Sequence, residues 1–269
     1  MAIIALQSAA SALSALNTAL DITSNNLANI NTAGFKASRA NFQDLIYIEQ
    51  QQPGIRNSNN DQRPMGIYVG LGTKVSGTEL NFSPGPPVQT GNPLDMMVQG
   101  NGFFRVSVPD TLGPQGFAYT RDGQFTLNSD GQIVLATDTG RKLDPAISIT
   151  GDYTSISVDS SGQIFVQRPS STEPELVGRL TLANFINPQG LKSVGENLYA
   201  ETSASGQPID GNPGDTSFGQ IASGQYEGSN VDPTTELVHL IQVQRSFEMN
   251  SNSIRAADQT LQTIAQIHR

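Results

Sequence analysis

Apolar side chains recur with helical period at both ends of the chain and with short alternating runs between them. Near the start, Leu6, Ala9, Leu13, Leu16, Leu20, Thr23, Leu27 and Ile30 follow one another at alternating steps of three and four. Near the end, Leu240, Val243, Phe247, Asn250, Ile254, Ala257, Leu261 and Ile264 do the same, with Asn250 the one strongly polar member. This is the a/d spacing of a coiled-coil seam, on helices of roughly 45 Å at a rise of 1.5 Å per residue. Neither stripe has a partner within its own segment, so the pattern predicts that residues 1–34 pair with residues 232–269. Ala5, Ala9, Ala12, Ala15 and Ala19 add a strip of small residues that admits further helices at close approach.

The ends of these helices carry their own signals. Gly34 stands where a C′ residue belongs. Asp232 suits an N-cap and Pro233 the first helical position, with Thr235 and Glu236 in a first turn whose dipole favours acid. Before Gly34 the only charged side chain is Asp21. A helix facing water on most sides normally carries Glu and Lys, so this one is suited to packing on more than one face.

Between the helices, Phe42, Leu45 and Ile46 have helical spacing, and Glu49 to Arg63 is rich in Gln, Asn and Pro with almost nothing to bury. Composition alone makes the latter a surface loop, and residues 35–70 as a whole a connecting segment with a polar extended insertion. Residues 71–231 change texture to short runs broken by Gly, Asp, Asn and Pro, which predicts strands and hairpins. Met96 to Val98 leads through Gly100 to Gly102 into Phe103 to Val108, and Tyr119 to Val134 reads as strand, turn, strand, turn, strand, with an echo at Val158 to Val166. The predicted fold is α+β: a mainly antiparallel β core, barrel or sandwich, with long N- and C-terminal helices paired as a coiled coil.

Charge and chemistry narrow the function. Charged residues make up 14% of the 269, against roughly 25% in ordinary soluble domains, and the net charge is −9. No basic stripe exists to neutralise a phosphate backbone, which argues against nucleic acid as a partner. Cysteine is absent, so no disulfide, thiolate nucleophile or thiolate metal site is expected. No apolar run approaches the roughly 20 residues of a membrane span, and the first cation is Lys36, so neither membrane insertion nor a cleaved leader is expected.

His239 and His268 are the two histidines, and neither a nucleophile elbow nor a zinc helix motif is present. Gly70-Leu71-Gly72-Thr73-Lys74 lacks the spacing of a phosphate loop. Asn128-Ser129-Asp130-Gly131 and Asp159-Ser160-Ser161-Gly162 lack the downstream bidentate acid of a calcium loop and read as hairpin turns. No catalytic residue, metal site or cofactor is expected, and the protein is not expected to be an enzyme.

The run Ser24-Asn25-Asn26-Leu27-Ala28-Asn29-Ile30-Asn31-Thr32-Ala33-Gly34-Phe35-Lys36 resembles the N-terminal signature of the bacterial flagellar rod and hook proteins. "NPLDMMVQGNGFFRV" and "YTRDGQF", beginning at Asn92 and Tyr119, resemble the core domain of that family. Glu236 to Val238 and Ile241 to Glu248 resemble the C-terminal motif of its distal rod branch. The resemblance covers nearly the whole chain and marks Asn25, Asn26, Leu27, Ala28, Asn29, Thr32, Gly34, Phe35 and Lys36 as signature positions.

It implies a structural subunit that assembles helically with copies of itself, terminal helices inside and β domain outside, into a rigid shaft passing torque to the hook. It further implies proximal rod, hook and basal-body ring proteins as neighbours, and type III export into the periplasm without leader cleavage. In the distal rod branch the polar insertion is thought to wedge between neighbouring subunits. The helix-pairing and subunit-contact residues expected are Leu6, Leu13, Leu16, Leu20, Leu27, Ile30, Leu240, Val243, Phe247, Ile254, Leu261 and Ile264. The alternatives are another flagellar axial protein, proximal rod or hook, or a secreted β-domain adhesin that oligomerises through its coiled coil. An adhesin would be marked by an exposed aromatic platform, and tryptophan is absent.

Overall fold

Asp232 caps the C-terminal helix as its sequence predicts. Its carboxylate accepts the Thr234 backbone N–H at 3.1 Å and the Thr235 hydroxyl, and its carbonyl accepts the Glu236 N–H at 3.0 Å. Pro233 opens the helix α2 (Pro233–Ile267). These assignments come from a computed structural model that describes residues 2–54, 64–169, 171 and 173–267. The chain falls into two compact units, one of Met1–Ala28, Ser38–Glu79 and Asp232–Arg269, the other of Asn29–Ala37 and Leu80–Val231.

In the first unit, α1 (Ala2–Ala28) packs against α2. α1 stops six residues before Gly34, a correction to the expected end of the helix. Thr32 turns back on Asn29, its N–H donating to the Asn29 carbonyl at 3.2 Å and its hydroxyl to the Asn29 side-chain oxygen at 3.1 Å. Asn side chains offer the backbone local alternatives to the helical ladder, and the asparagine-rich run 25–31 spans the helix end. Ile30 therefore lies in the turns beyond α1.

Among the described residues, four strands complete this unit: β1 (Ser38–Asp44), β2 (Tyr47–Gln51), β3 (Ile67–Gly70) and β4 (Thr73–Leu80). β1 pairs with β4, and β2 runs antiparallel to β3 with Tyr47 opposite Gly70 and Glu49 opposite Tyr68. Phe42 thus lies on a strand, against the helical spacing read from Phe42, Leu45 and Ile46. Cross-strand polar partners decide it: the Glu79 carboxylate accepts Arg39 at 2.9 Å and Asn41 at 3.1 Å, two residues apart on β1. Ser76 and Thr73 donate to the carbonyls of Asn41 and Gln43. The insertion expected over Glu49 to Arg63 is in part paired as β2, and residues 55–63 lie outside the described residues.

The second unit is β-rich, and its strand pairs among the described residues are antiparallel. Its largest sheet orders Lys192–Gly195, Leu198–Ala200, Phe117–Thr120, Phe103–Ser107, Leu182–Asn184 and Ile209–Gly211, with Leu143–Asp144 also on Phe103–Ser107. The central strand is buried on both faces. Phe104 packs with Met96, Val98, Phe125, Ile133 and Leu182 in the main core, while Phe103 joins Tyr119, Phe185 and Tyr199 on the other side. Rings meet edge to face, Phe104 with Phe125 at 5.2 Å and Tyr119 with Phe185 at 4.8 Å between centroids.

Both acid-containing loops are hairpin turns. The Asn128 side chain accepts the N–H groups of Asp130 and Gln132 at 3.0 and 2.8 Å, and Gly131 supplies the left-handed φ of 72°. Asp159 takes the Ser161 hydroxyl at 2.8 Å, which holds its carboxyl below the usual range.

Candidate assembly surface and signature cluster

The stripe positions of α1 and α2 are only partly covered. On α1, Ala9, Ala15 and Thr23 are buried, and Leu6, Leu13, Leu16, Leu20 and Leu27 are half-buried. On α2, Leu240, Val243, Asn250, Ile254, Ala257 and Leu261 are half-buried and Phe247 is 41% exposed, while no described α2 side chain is buried. The Ile264 side chain lies outside the described residues. Asn250 turns its amide back to the Ser246 carbonyl of its own helix at 2.9 Å.

Leu16, Asn17 and Leu20 of α1 line a groove of about 290 Å³ with Val243, Gln244, Phe247 and Glu248 of α2. Leu237, Val238, Ile241 and Met249 lie exposed beyond it, the last at 63%. Several exposed apolar side chains on one helix exceed what scattered surface residues explain, and such surface marks interaction sites.

Asn26, at 1% exposure, ties the base of this unit. Its amide donates to the Ser38 carbonyl at 2.8 Å and to Glu236 Oε1 at 3.1 Å, and its oxygen accepts the Ser38 N–H at 3.0 Å. One side chain thereby joins α1, the start of β1 and the first turn of α2. Asn25 and Ala28 are exposed and Leu27 is half-buried, so among these neighbours burial singles out Asn26.

The other signature residues lie in the second unit, around a buried charge cluster. Gly34 adopts φ +67°, and a Cβ there would sit 2.5 Å from the Asp122 backbone nitrogen, so both conformation and space demand glycine. Its N–H donates to the Glu227 carbonyl at 2.8 Å, and the Phe35 carbonyl accepts the Asn230 N–H at 3.3 Å.

Lys36 Nζ reaches Glu227 Oε1 and the Ser83 carbonyl, both charged side chains at 0% exposure. Glu227 also accepts the Gly85 N–H at 2.8 Å and Arg121 Nη1 at 3.4 Å. Arg121 lies over the Phe103 ring, donates to the Gly100 carbonyl at 2.8 Å, and leaves its Nε without a partner among the described residues. Two cations thus share one carboxylate. Burial pulls both the Lys36 and Arg121 pKa values down, opposed by the charge of Glu227. Beside them, burial pushes the Asp122 carboxyl up to about 6.

Sequence reading named Lys36 but not Glu227, Arg121 or Asn230. Lys36 and Glu227 lie 191 positions apart, and no spacing rule joins them. The available hint was chemical, since each is a charge in a charge-poor neighbourhood. No group of His, Cys, Asp or Glu among the described residues is placed to hold a metal, and no helix is long and apolar enough to cross a membrane. The arrangement packs and fastens.

Three family models match: "Flagella basal body rod protein" over residues 6–36, "Flagellar hook protein FlgE/F/G D1 domain" over 97–166 and "Flagellar basal body rod FlgEFG protein C-terminal" over 222–267. The chain belongs to the flagellar basal-body rod protein family. Within it, the chain is 43% identical to flagellar basal-body rod protein FlgG of Buchnera aphidicola subsp. Baizongia pistaciae (strain Bp), covering 97% of this chain and 98% of that protein. In Caulobacter vibrioides it is 40% identical to FlgG, over 98% of each chain, and 32% identical to FlgF, over 85% of this chain and 83% of the other. FlgG is thus the nearer of those two paralogues.

Proposed function

We infer that the protein is a structural subunit of the bacterial flagellar basal body, a distal rod protein of the FlgG type that assembles helically with its own copies. Likeness to FlgG along almost the whole chain carries this reading. The half-covered helices supply a physical reason for assembly. α1 and α2 pair as a coiled coil through Leu6, Leu13, Leu16, Leu20 and Leu27 with Leu240, Val243, Phe247, Ile254 and Leu261. The apolar surface left exposed at Leu237, Val238 and Ile241 then packs against further copies. Heterologous contacts that do not close a ring produce a helical filament.

In this reading the terminal helices form the inner tube of the shaft. The subunit crosses the periplasm as part of the shaft, with proximal rod and hook proteins at its ends and ring proteins around it. It leaves the cytoplasm through the type III machinery. Electron microscopy of the concentrated purified protein tests the reading: helical tubes or fibres are expected, and discrete closed oligomers would overturn it.

A further inference from the structure

Residues 29–37 are fastened to the second unit mainly by polar contacts. The N–H groups of Gly34 and Ala37 donate to the Glu227 carbonyl and to Asn230 Oδ1 at 2.8 and 2.7 Å. The carbonyls of Ala33, Phe35 and Ala37 accept from Asn197, Asn230 and Asn81. Of their side chains, only Lys36 is buried, and Phe35 is half-buried. Each such hydrogen bond contributes about 0.5–1.5 kcal/mol net, and the segment adds little apolar burial. By contrast, the body it lies on has a large, mainly aliphatic core and an aromatic-rich one, and neither contains any of its residues.

The charge cluster is asymmetric in the same sense. With Lys36 in place, two buried cations face one carboxylate, and Lys36 uses two acceptors for three ammonium hydrogens. With Lys36 withdrawn, Glu227 retains the Gly85 N–H and Arg121, a pair balanced in charge. Removing one partner from a buried ion pair is costly because it strands a charge. Here withdrawal of the lysine strands none, since the ammonium regains water and the carboxylate keeps its arginine.

We propose that residues 29–37 are a strap latched by Lys36, which releases as one piece while residues 80–231 stay folded. Local opening of this kind belongs to segments with few buried apolar contacts. The strap follows α1 directly in sequence and precedes β1, and its release leaves the β-rich body folded while Asn26 still holds Ser38.

Native-state amide exchange of the full chain, kept monomeric by dilution, reads the latch without any variant. The amides of Gly34 and Ala37 should exchange at least tenfold faster than those of the strand Phe103–Ser107 and show a weaker denaturant dependence. Lys36→Met should raise the Gly34 and Ala37 rates a further tenfold or so and leave the Phe103–Ser107 rates unchanged. Glu227→Gln, which strands two cations, should accelerate exchange in both segments. If the strap and the central strand of the natural protein exchange with one rate and one denaturant dependence, the strap is an inseparable part of the fold. Unchanged Gly34 and Ala37 rates in Lys36→Met would equally overturn the latch.

Discussion

Leu16 of α1 and Phe247 of α2 line the same groove, so charges placed at both should sense one another. Full burial of a leucine stabilises by about 1.5–3 kcal/mol, and half-burial of Leu16 corresponds to roughly half of that. Leu16→Asp forfeits this and adds a carboxylate that must keep its water in a groove of about 290 Å³. The total is about 2–3 kcal/mol, since the open groove moderates the desolvation cost. Phe247, 41% exposed, should lose somewhat less on Phe247→Asp.

The double variant places two carboxylates in one groove and should cost more than the sum, whereas Leu16→Lys with Phe247→Asp should recover part of the loss. Helical circular dichroism at increasing denaturant measures the pair, amide exchange of Phe103–Ser107 reports the β-rich unit in the same sample, and motility in soft agar reports assembly. Each single aspartate should abolish motility and weaken the helices while the Phe103–Ser107 amides keep their protection. If the opposite-charge combination fares no better than the two aspartates, the residues do not face each other. Equal loss of protection in the β-rich unit would refute the assignment of the groove to the helix pair.

Three further outcomes are expected. Asn26→Ala leaves the Ser38 N–H and carbonyl without their partner and should lower the denaturant midpoint of the helical signal by the equivalent of about 1–3 kcal/mol. Asn26→Asp, which brings a carboxylate beside Glu236, should be worse, and a neutral outcome for both would remove Asn26 from the account. Asp122 retains its proton in the fold to about pH 6, whereas the unfolded chain releases it near 4. Its contribution to stability should therefore fall as pH rises from 4 to 6 and stay low above. Asp122→Asn should flatten that part of the stability–pH curve, and an unchanged slope would contradict the burial argument. Deleting residues 50–63 should leave secretion intact while altering rod straightness and stiffness, and rods of unchanged mechanics would make the segment a passive loop.

What could be read from the sequence was local. The Asp232-Pro233 start and the turns at Asn128 and Asp159 each declare themselves within a few residues, because capping and turn chemistry act over that range. Phe42 misled because three apolar residues fit a helix and a strand alike, and the Glu79 carboxylate that decides between them lies about forty positions away. Glu49 to Gln51 looked like the start of a loop because its β partner, Ile67 to Tyr68, follows a long polar interval. The end of α1 was overrun because the apolar stripe continues to Ile30, two residues beyond the helix.

The signature around Gly34 and Lys36 was visible as a motif, but its purpose was not. Gly34 is small because of the Asp122 backbone, and Lys36 is charged because of Glu227. Both reasons lie far along the chain, where periodicity carries no information. Exposed apolar positions such as Val238 and Ile241 were likewise invisible as a surface until α1 had been placed on one side of α2 only.

A map of the native basal body, at a resolution that traces side chains, tests the central claim most directly. The account predicts this chain in the distal rod as successive helically related copies, with α1 and α2 lining the inner tube and Leu237, Val238 and Ile241 covered by neighbouring copies. Finding the chain only in the hook or the proximal rod, or finding that surface open to solvent in the assembled shaft, would contradict it.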